Sequence, residues 1–392
     1  MAAQIPSRWA GFGTSIFTTM TEASVQADAI NLSQGFPDFD GPPEIKEAAI
    51  AAIREGRNQY APAAGLPPLR AVLAEAARRH SGLTWDPLTE TTVFSGATEA
   101  LFCSILALCE PGDELVTFEP CYDSYAPAVM AAGATLKTVV LRGPDWTFDE
   151  DDLRRAVSPR TKALLLNTPN NPTGKVFGRA ELEMVARLAH QHGFFVITDE
   201  VYEHLVYDGG RHLSLATLPG MRERTVTISS TSKTFSMTGW KIGFAFAPPS
   251  LTAALRAVHQ FVVFCSATPL QWGMAATGGL GDDYLTRFRE EYQERRDFLH
   301  GVLVEAGFRC RRPQGTYFIV GEYEGLSPLD DLDFCLWLTR EVGVSAIPVS
   351  AFCTETGRTR LGGRFIRFAF CKGLPTLQAA ADRLRRARFP GS

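Results

Sequence analysis

Two lysines lie close together in the segment SSTSKTFSMTGWKIGF, residues 229–244. Lys233 stands among serines and threonines, with no carboxylate near it in sequence, and Lys241 follows in the same segment. Burial and a neighbouring cation would both lower the pKa of Lys233 toward neutrality. A neutral amine is a nucleophile suited to Schiff-base formation. A lysine in a solvent-facing loop is the alternative, and this setting favours the reactive amine.

A carboxylate ends one of the apolar runs, because Asp199 directly follows FFVIT. Burying an unpaired charge is costly, so this side chain needs a partner. The partner is either the N-terminus of a following helix or a protonated ring nitrogen of a ligand. Glu200 is then expected to face solvent, and Tyr202 shares a helical face with Asp199 if a helix begins there.

An arginine lies within the last predicted strand, RFIRFAFC. Strand alternation places Phe365, Arg367 and Ala369 on one face. An arginine held between apolar side chains suits the bidentate binding of a carboxylate. A structural ion pair is the alternative for Arg367.

A helix N-terminus follows a glycine turn in SGATEALFCSILAL, residues 95–108. The first backbone N–H groups of a helix have no partner within it, so they could hold a phosphate. The segment matches neither of the usual glycine-rich nucleotide fingerprints. A purely structural helix cap explains it equally well.

A rigid turn is predicted in NTPNNPTGK, residues 167–175, which contains two X-Pro steps and a glycine. One of its asparagine amides could donate a hydrogen bond to a ligand oxygen. The same amides could instead only satisfy backbone groups of the turn. Farther along the chain, Gly239 and Gly243 are expected to let the backbone pass close to a ligand.

Short apolar runs alternate with helical patterns between residues 91 and 230. This pattern is typical of an α/β fold with a mostly parallel central sheet and helices on both faces. Each run ends in polar or glycine residues, and ligands of such sheets bind outside the carboxyl ends of the strands. We therefore expect one ligand site there. The runs are TTVFSG, ELVTFEP, TLKTVVL, KALLLNTP, FFVITDE and TVTISS.

The length of 392 residues favours more than one domain. We predict an N-terminal arm (1–43) that joins the smaller domain, a large domain (44–280) and a small α+β domain (281–392). The arm is expected to be extended, and the first helices are predicted at about 44–55 and 68–80. The small domain should contain the long charged helix that begins with DDYLTRF, the strands GTYFIVGEY and RFIRFAF, and a helix near 332–342.

The bulk composition excludes several partners. The net charge is −4, which argues against nucleic acid or an anionic membrane surface. Eight cysteines without a C-x-x-C pair give no zinc spacing, so no metal is expected and the thiols are typical of a reducing compartment. No apolar run has the length of a signal core or a membrane span, so a cytoplasmic location is expected.

Four segments in order resemble the motifs of the class I/II aminotransferases, which are pyridoxal 5′-phosphate (PLP) enzymes of fold type I: NTPNNPTGK, DEVYEHLVY, SSTSKTFSMTGWKIGF and FIRFAF. The resemblance extends over essentially the whole chain. The segments NLSQGFPDFDGPP and EPCYDSY are most similar to one subgroup. It contains kynurenine aminotransferase/glutamine transaminase K, methionine aminotransferase and succinyldiaminopimelate aminotransferase.

The resemblance implies PLP as the cofactor and a role for each matched residue. Lys233 would form the Schiff base and move a proton, and Asp199 would pair with the pyridine nitrogen. Asn171 and Tyr202 would hydrogen-bond the phenolate oxygen, and Tyr122 would stack on the ring. The phosphate would be held by Ala97, Thr98, Ser230 and Lys241, and by Tyr60 from the second subunit of a homodimer.

The substrate site follows from the same resemblance. Arg367 would bind the α-carboxylate, helped by the Gly35 backbone and by Asn171. Phe17 and Phe264 would line the side-chain pocket together with Tyr60 and Tyr122, which favours apolar, aromatic or thioether side chains. The sequence has Ala97 where relatives often have glycine, and Phe264 near the place where a relative has histidine.

The activity implied is ping-pong transfer of an amino group from an L-amino acid, glutamine-like ones included, to a 2-oxo acid. N-succinyldiaminopimelate is a second candidate substrate. A β-lyase acting on cysteine S-conjugates would use the same lysine, aspartate and arginine. A PLP-sensing regulator is disfavoured, because no DNA-binding module precedes residue 30 and the chain is not basic.

Overall fold

The computed structural model describes residues 9, 12–361 and 364–391. Its strands are β1 (Ile30–Asn31), β2 (Thr91–Phe94), β3 (Glu114–Glu119), β4 (Thr135–Val140), β5 (Thr161–Asn167), β6 (Phe195–Asp199), β7 (Thr225–Ser230), β8 (Gly243–Phe246), β9 (Arg309–Cys310), β10 (Phe318–Glu322), β11 (Val344–Ser345), β12 (Ile347–Pro348) and β13 (Phe365–Ala369). Its α-helices are α1 (Ile16–Gln26), α2 (Pro43–Arg54), α3 (Pro67–Ser81), α4 (Ala97–Leu108), α5 (Tyr125–Ala131), α6 (Glu150–Ala156), α7 (Arg179–His192), α8 (Thr231–Thr234), α9 (Pro249–Val262), α10 (Thr268–Ala275), α11 (Asp282–Glu305), α12 (Asp331–Trp337), α13 (Glu355–Leu361) and α14 (Leu374–Arg386).

A seven-stranded sheet forms the centre of the molecule, in the order β2-β8-β7-β6-β5-β3-β4. All of its strands run in the same direction except β8, which is antiparallel to both neighbours. The six predicted apolar runs all form strands of this sheet. The predicted α/β fold with a mostly parallel sheet is therefore confirmed.

Strand β8 was not expected from the sequence. Its four residues, GFAF, begin with a glycine only two residues after Lys241 and overlap the end of the lysine segment, so they were not predicted as a separate strand. The strand nevertheless lies between β2 and β7 and is buried throughout. Strand β8 thus places the residues that follow Lys241 directly beside β7, the strand that ends just before Lys233.

Alternation in β5 shows why the central strands are apolar on both faces. Ala163 and Leu165 pack into the core beneath α4, α5 and α9, whereas Leu164 and Leu166 pack into the core beneath α7. All four side chains are fully buried. Covering helices on both faces thus convert a period-2 pattern into a continuous apolar run.

A second, antiparallel sheet has the order β12-β13-β10-β9. Its strand β13 places Arg367 opposite Val320 of β10 and Ile347 of β12. The helices α11, α12 and α14 contribute to the core around it. The predicted helix near 332–342 is α-helical only to Trp337, and a π-helix continues from Leu338 to Val342.

The N-terminal segment contains a helix, so the expectation of an extended arm was wrong. Helix α1 begins after Ser15, whose Oγ accepts a hydrogen bond from the backbone N of Phe17 (3.3 Å). The helix buries Met20 and Ala23, and β1 then pairs in parallel with β11. Residues 1–8, 10 and 11 of the predicted arm lie outside the described residues. The domain division at residues 43 and 280 stays a prediction.

Within the described residues, none of the helices combines the length and the apolar character needed to cross a membrane. All eight cysteines have free thiols, and five of them are buried.

Candidate active site

A cavity of about 190 Å³ lies at the carboxyl ends of β5, β6 and β7. It collects residues from both sheets and from the N-terminal segment. Among the residues predicted for the site, those that line it are Phe17, Gly35, Ala97, Thr98, Tyr122, Asn171, Asp199, Tyr202, Ser230, Lys233, Lys241 and Arg367. The single ligand site expected from the strand ends therefore exists as one cavity.

Lys233 reaches this cavity from the short helix α8. The hydroxyl of Ser230, the last residue of β7, accepts a hydrogen bond from the backbone N of Ser232 (3.2 Å) and so caps the helix. Surrounding protein lowers the pKa of Lys233 to about 8 through burial, and nearby Lys241 lowers it further. Cys371 and Asp199 act in the opposite direction. About a tenth of this amine is therefore uncharged at pH 7, far more than for an ordinary lysine, which is the direction of shift that the sequence predicted.

Asp199 is 4% exposed and ends β6 at the floor of the cavity. Its Oδ2 accepts a hydrogen bond from the hydroxyl of Tyr125 (2.6 Å), and its Oδ1 accepts one from the backbone N of Val201 (3.4 Å). Burial raises the pKa of Asp199 to about 6, although the Tyr125 hydrogen bond lowers it. Among the described residues no cation forms a salt bridge with this carboxylate. A protonated ring nitrogen would supply the missing positive charge.

The residues after Asp199 differ from the prediction. They form a turn and not a helix, so Asp199 and Tyr202 do not share a helical face. Glu200 is 1% exposed and was wrongly expected to face solvent. Its two carboxylate oxygens contact His212 Nε2 (2.7 Å) and Ser214 Oγ (2.9 Å), which stabilise the buried charge. Tyr202 still lines the cavity, because the turn carries it there.

The opposite end of the cavity is built to hold an anion. Helix α4 begins at Ala97, after Gly96 with φ 88°, so its first N–H groups face the cavity without carbonyl partners. Lys241 adopts a left-handed backbone (φ 53°), and its side chain passes over Gly96, where an added Cβ would lie 3.1 Å from Nζ. The hydroxyl of Ser232 is buried in the wall of the same cavity and has no hydrogen-bond partner within the described part of the chain. These donors suit a phosphate.

Two glycines near this end behave differently. A Cβ on Gly243 would lie 2.4 Å from the backbone N of Ala97 and from the carbonyl C of Gly96, so only a glycine allows β8 to approach the helix. A Cβ on Gly239 would meet nothing within 4 Å. The close approach at Gly243 is thus to the start of α4 and not to a ligand, and the predicted approach of these two glycines to a ligand stays a prediction.

Arg367 lies across the cavity on β13 and is fully buried. Its Nη1 donates to Asn171 Oδ1 (2.8 Å) and its Nη2 donates to the carbonyl of Ser33 (2.7 Å). The guanidinium lies 3.9 Å from the ring centroid of Phe318, and its Nε is buried without a partner. Burial lowers its pKa to about 10. No salt bridge to Arg367 occurs within the described part of the chain, so the structural ion pair is not found.

Asn171 contacts this arginine directly, whereas Gly35 does not. The backbone N of Asn171 donates to Asn167 Oδ1 (2.7 Å), and its side-chain oxygen accepts from Arg367. The amide nitrogen of Asn171 is thereby left as the donor toward the cavity. The carbonyl of Gly35 accepts from the hydroxyl of Tyr317 (2.6 Å), and Arg367 contacts Ser33 and not Gly35.

Tyr60 and Phe264 do not line this cavity. Their rings contact each other edge to face with centroids 5.4 Å apart, and their exposed fractions are 83% and 45%. Within one chain, Phe264 therefore does not form part of the substrate pocket that the sequence predicted. The reason is that the segment after α9 turns outward at Phe264, which has a left-handed φ of 72°.

The residues present fit PLP on structural grounds. The orphaned Ser232 hydroxyl and the free N–H groups of α4 match a phosphate, and Asp199 lacks a cation at the place where a pyridinium would lie. Lys233 is partly deprotonated beside it, and Tyr122 lines the same wall. Burial raises the pKa of Tyr122 to about 12, so its ring stays neutral.

Several residues at the site were not predicted from the sequence. Tyr125 lies within the segment EPCYDSY, but its spacing from Tyr122 gives no signal that it reaches Asp199. Ser232 stands beside Lys233 in sequence, so it could have been included. Gly96 and Asn167 end two of the apolar runs and so lie where the ligand site was predicted, although neither was given a role. The other lining residues that were not predicted are Gln34, Leu101, Val201, Thr238 and Phe318.

A mostly parallel sheet that brings a lysine, a buried aspartate and a phosphate cradle to its carboxyl edge defines a PLP-dependent enzyme of fold type I. The chain belongs to the family "Aminotransferase class I and II", whose sequence model matches residues 27–373. The enzyme is thus an aminotransferase that depends on PLP, as the motifs predicted.

Three relatives illustrate the similarity. A probable N-succinyldiaminopimelate aminotransferase, DapC, of Mycobacterium tuberculosis is 45% identical over 96% of this chain and 97% of its own length. Kynurenine–oxoglutarate transaminase 1 of Rattus norvegicus is 38% identical over 96% of each chain. The crystal structure of YbdL from Escherichia coli, with a methionine aminotransferase function, has a TM-score of 0.94 at 41% identity and covers 98% of this chain and 100% of that chain. These names match the predicted subgroup.

Proposed function

We propose that this aminotransferase takes the amino group of an L-amino acid with an apolar, aromatic, thioether or glutamine-like side chain and passes it to a 2-oxo acid in a ping-pong reaction. The observation that carries the proposal is the setting of Arg367. It is a fully buried cation that has no counter-ion among the described residues, and the rings of Phe17 and Phe318 in the cavity wall lie 5.6 Å and 3.9 Å from its guanidinium. The α-carboxylate of the substrate would neutralise Arg367, and the rest of the substrate would then contact the rings of Phe17 and Phe318.

The charges of the cavity support a substrate without a second carboxylate. Among the described lining residues the only cationic side chains are Lys233, Lys241 and Arg367. The first two belong to the proposed cofactor site, so no further arginine is left for a side-chain carboxylate. Phe17 and Phe318 form apolar walls beside the α-carboxylate site.

Each proposed catalytic residue has a task that its surroundings support. When bound, PLP supplies a ring that accepts electrons from the substrate Cα. Asp199 keeps the ring nitrogen protonated, and Lys233 takes a proton from the substrate and returns it, which an amine with a pKa of about 8 can do. Arg367 fixes the carboxylate, so the Cα–H bond is held in one orientation. Asn171 and Tyr202, which line the cavity, would hydrogen-bond the phenolate oxygen of the bound cofactor.

We further propose a cytoplasmic homodimer with shared active sites. An exposed apolar patch surrounds Tyr60 and Phe264, and it includes Phe261 (87% exposed), Val262 and Val263. Contiguous exposed apolar side chains of this size are typical of an interface. Covering the patch with a second copy would bring Tyr60 and Phe264 to the neighbouring cavity, where Tyr60 would contact the phosphate and Phe264 the substrate. The free thiols support the reducing compartment.

N-succinyldiaminopimelate is the second candidate substrate. The 45% identity to the Mycobacterium tuberculosis relative supports it. Its distal carboxylate would need a donor, and the amide nitrogen of Gln34 in the cavity wall already donates to the carbonyl of Phe17 (2.9 Å) and to Thr21 Oγ1 (2.8 Å), so this substrate would have to displace one of these bonds.

A donor-by-acceptor screen tests the proposal. Each amino acid is mixed with the PLP form of the enzyme, and the loss of its visible absorbance is followed without an acceptor. Methionine, phenylalanine, kynurenine and glutamine should convert the cofactor faster than aspartate or glutamate. A preference for N-succinyldiaminopimelate would select the second candidate, and a preference for aspartate would contradict the apolar pocket. Release of pyruvate and ammonia from a cysteine S-conjugate without an acceptor would show β-lyase activity.

A further inference from the structure

His259 is a fully buried histidine that lies outside the cavity and has no role in the reaction described above. Its Nδ1 contacts Glu99 Oε1 at 2.6 Å, and its Nε2 contacts the carbonyl oxygen of Ala63 at 2.9 Å. A carbonyl only accepts, so Nε2 carries a hydrogen and donates it. The other oxygen of Glu99 accepts from the backbone N of Ser95 (2.5 Å). Every hydrogen-bonding atom of the imidazole is therefore used.

This pairing also decides against a metal ion at the same place. Glu99, Cys103 and His259 have ligand atoms within 4.8 Å of one another, which is a spacing that a metal could bridge. Both imidazole nitrogens are already committed to protein oxygens, and Cys103 Sγ lies 3.8 Å from Glu99 Oε1. Burial also raises the pKa of the Cys103 thiol to about 12, so the thiolate ligand is disfavoured.

The two partners of His259 belong to functionally different segments. Glu99 is in the first turn of α4, the helix whose N-terminus forms the phosphate cradle. Ala63 lies three residues after Tyr60, in the segment between α2 and α3. His259 itself is in the last turn of α9, just before the exposed stretch 261–264. The imidazole thus joins the phosphate helix to the segment that presents Tyr60.

Further hydrogen bonds tie the same segment from the other side. Thr268 Oγ1 donates to the carbonyl of Gln59 (2.7 Å), and Gln271 Oε1 accepts from the backbone N of Leu66 (2.8 Å). The segment is therefore held at both ends and, through His259, in its middle. Tyr60 directly follows the held residue Gln59, and its side chain is 83% exposed. An aromatic side chain held rigidly while facing outward is set up to contact another molecule.

We propose that His259 is a positioning residue that fixes the Tyr60 segment, so that Tyr60 reaches the phosphate of the partner subunit. This inference rests on the proposed homodimer. If His259 acts in this way, a change in one subunit affects the cofactor of the other subunit and not its own. Loss of the Ala63 hydrogen bond in one subunit loosens the cofactor in the other subunit, while the cofactor of the altered subunit is held as before.

Two substitutions separate the two hydrogen bonds of His259. In His259→Asn the side-chain amide can replace Nδ1 and keep the Glu99 contact, but it is too short for Ala63. In His259→Gln the amide nitrogen can replace Nε2 and keep the Ala63 contact. We expect His259→Asn to raise the dissociation constant for PLP about tenfold, the value of one hydrogen bond, and His259→Gln to raise it less. Equal changes from the two variants would contradict the role of the Ala63 bond.

Hybrid dimers with two affinity tags test the direction. Lys233→Ala removes the lysine-bound cofactor from one subunit, so the visible absorbance reports only on the other subunit. In the first hybrid, His259→Asn is in the Lys233→Ala subunit. In the second hybrid, His259→Asn is in the subunit with the intact lysine. PLP retention should fall about tenfold in the first hybrid and stay near that of a Lys233→Ala/wild-type hybrid in the second.

The outcomes separate the inference from the proposal on which it rests. Equal losses in both hybrids would mean a structural role only, and unchanged retention in both would leave His259 without a role in cofactor binding; either result overturns the inference. A protein that is monomeric in sedimentation at assay concentration would contradict the homodimer itself. A chelator should leave PLP retention unchanged, and a loss on chelation would overturn the hydrogen-bonded assignment in favour of a metal.

Discussion

The hydroxyl of Tyr125 donates a 2.6 Å hydrogen bond to Oδ2 of Asp199, and both side chains are buried. Tyr125 is the first residue of α5, and Asp199 is the last residue of β6, so the bond joins two elements far apart in sequence. It is the strongest single contact that favours the ionised form of Asp199, against the effect of burial. The hydrogen bond from Tyr125 therefore increases the fraction of Asp199 that is ionised and available to pair with a pyridinium ring.

Replacing Tyr125 by phenylalanine should weaken PLP binding most at low pH. Loss of the donor raises the pKa of Asp199 above its present value of about 6, so less carboxylate is ionised at pH 6–7. We expect an affinity about tenfold lower at pH 6.5 and a smaller loss at pH 8.5, measured from cofactor absorbance. Tyr323→Phe removes a similar hydroxyl, bonded to the carbonyl of Leu329, and serves as the control. A loss that is the same at all pH values would contradict this coupling.

Replacing Asp199 by asparagine should stabilise the cofactor-free protein while abolishing tight PLP binding. The folded-state pKa of about 6 exceeds the ordinary 3.8, so folding disfavours the ionised carboxylate. This cost is absent below about pH 4 and complete above about pH 6. The variant should gain at most roughly 3 kcal/mol in free energy of unfolding at pH 8 and nothing at pH 4.

Urea unfolding of the cofactor-free protein at the two pH values measures this difference. Asp382→Asn is a matched control, because that carboxylate is exposed on α14 and accepts a hydrogen bond from Gln378 Nε2 outside the cavity. A stability gain for Asp199→Asn that does not depend on pH would argue against an ionisation cost.

Most of the central sheet could be predicted from the sequence, because strands buried on both faces appear as continuous apolar runs. β8 could not, since its four residues begin with a glycine and overlap the end of the lysine segment. α1 was also missed: its threonines lower helix propensity, and it buries only Met20, Ala23 and Ser24. Helix formation there depends on packing that local sequence does not show.

The site residues were predicted where chemistry and sequence order agree, as with Lys233, Asp199 and Arg367. Tyr125 could not be predicted, because its contact with Asp199 depends on how α5 packs against the sheet. Glu200 was misjudged for the same reason: its partners His212 and Ser214 come from a later loop. A single sequence therefore does not predict which distant residues form hydrogen bonds with a buried carboxylate.

Replacing Arg367 by lysine should raise KM for every substrate that carries an α-carboxylate. A lysine cannot keep the forked contacts with Asn171 Oδ1 and the Ser33 carbonyl while also binding a carboxylate at two points. We expect KM to rise by at least about tenfold, equivalent to about 1.4 kcal/mol, with PLP affinity unchanged. Arg364→Lys, at an exposed position beside the same strand, should leave KM unchanged. An increase confined to one class of side chain would contradict the role.

Replacing Gly243 by alanine should weaken PLP binding through the phosphate cradle. The added Cβ would lie 2.4 Å from the backbone N of Ala97 and from the carbonyl C of Gly96, a distance that forces β8 and the start of α4 apart. The N–H groups of α4 would then move away from the phosphate, and we expect PLP affinity to fall by at least about tenfold.

Gly239→Ala is the matched control for this variant, since its Cβ would meet nothing within 4 Å and it lies in the same segment. The two purified proteins are titrated with PLP, and the dissociation constants are compared with the unfolding midpoints of the cofactor-free forms. Gly243→Ala should change the dissociation constant, whereas Gly239→Ala should bind like the wild type. Equal affinities for the two variants would show that the contact between β8 and α4 does not shape the phosphate site.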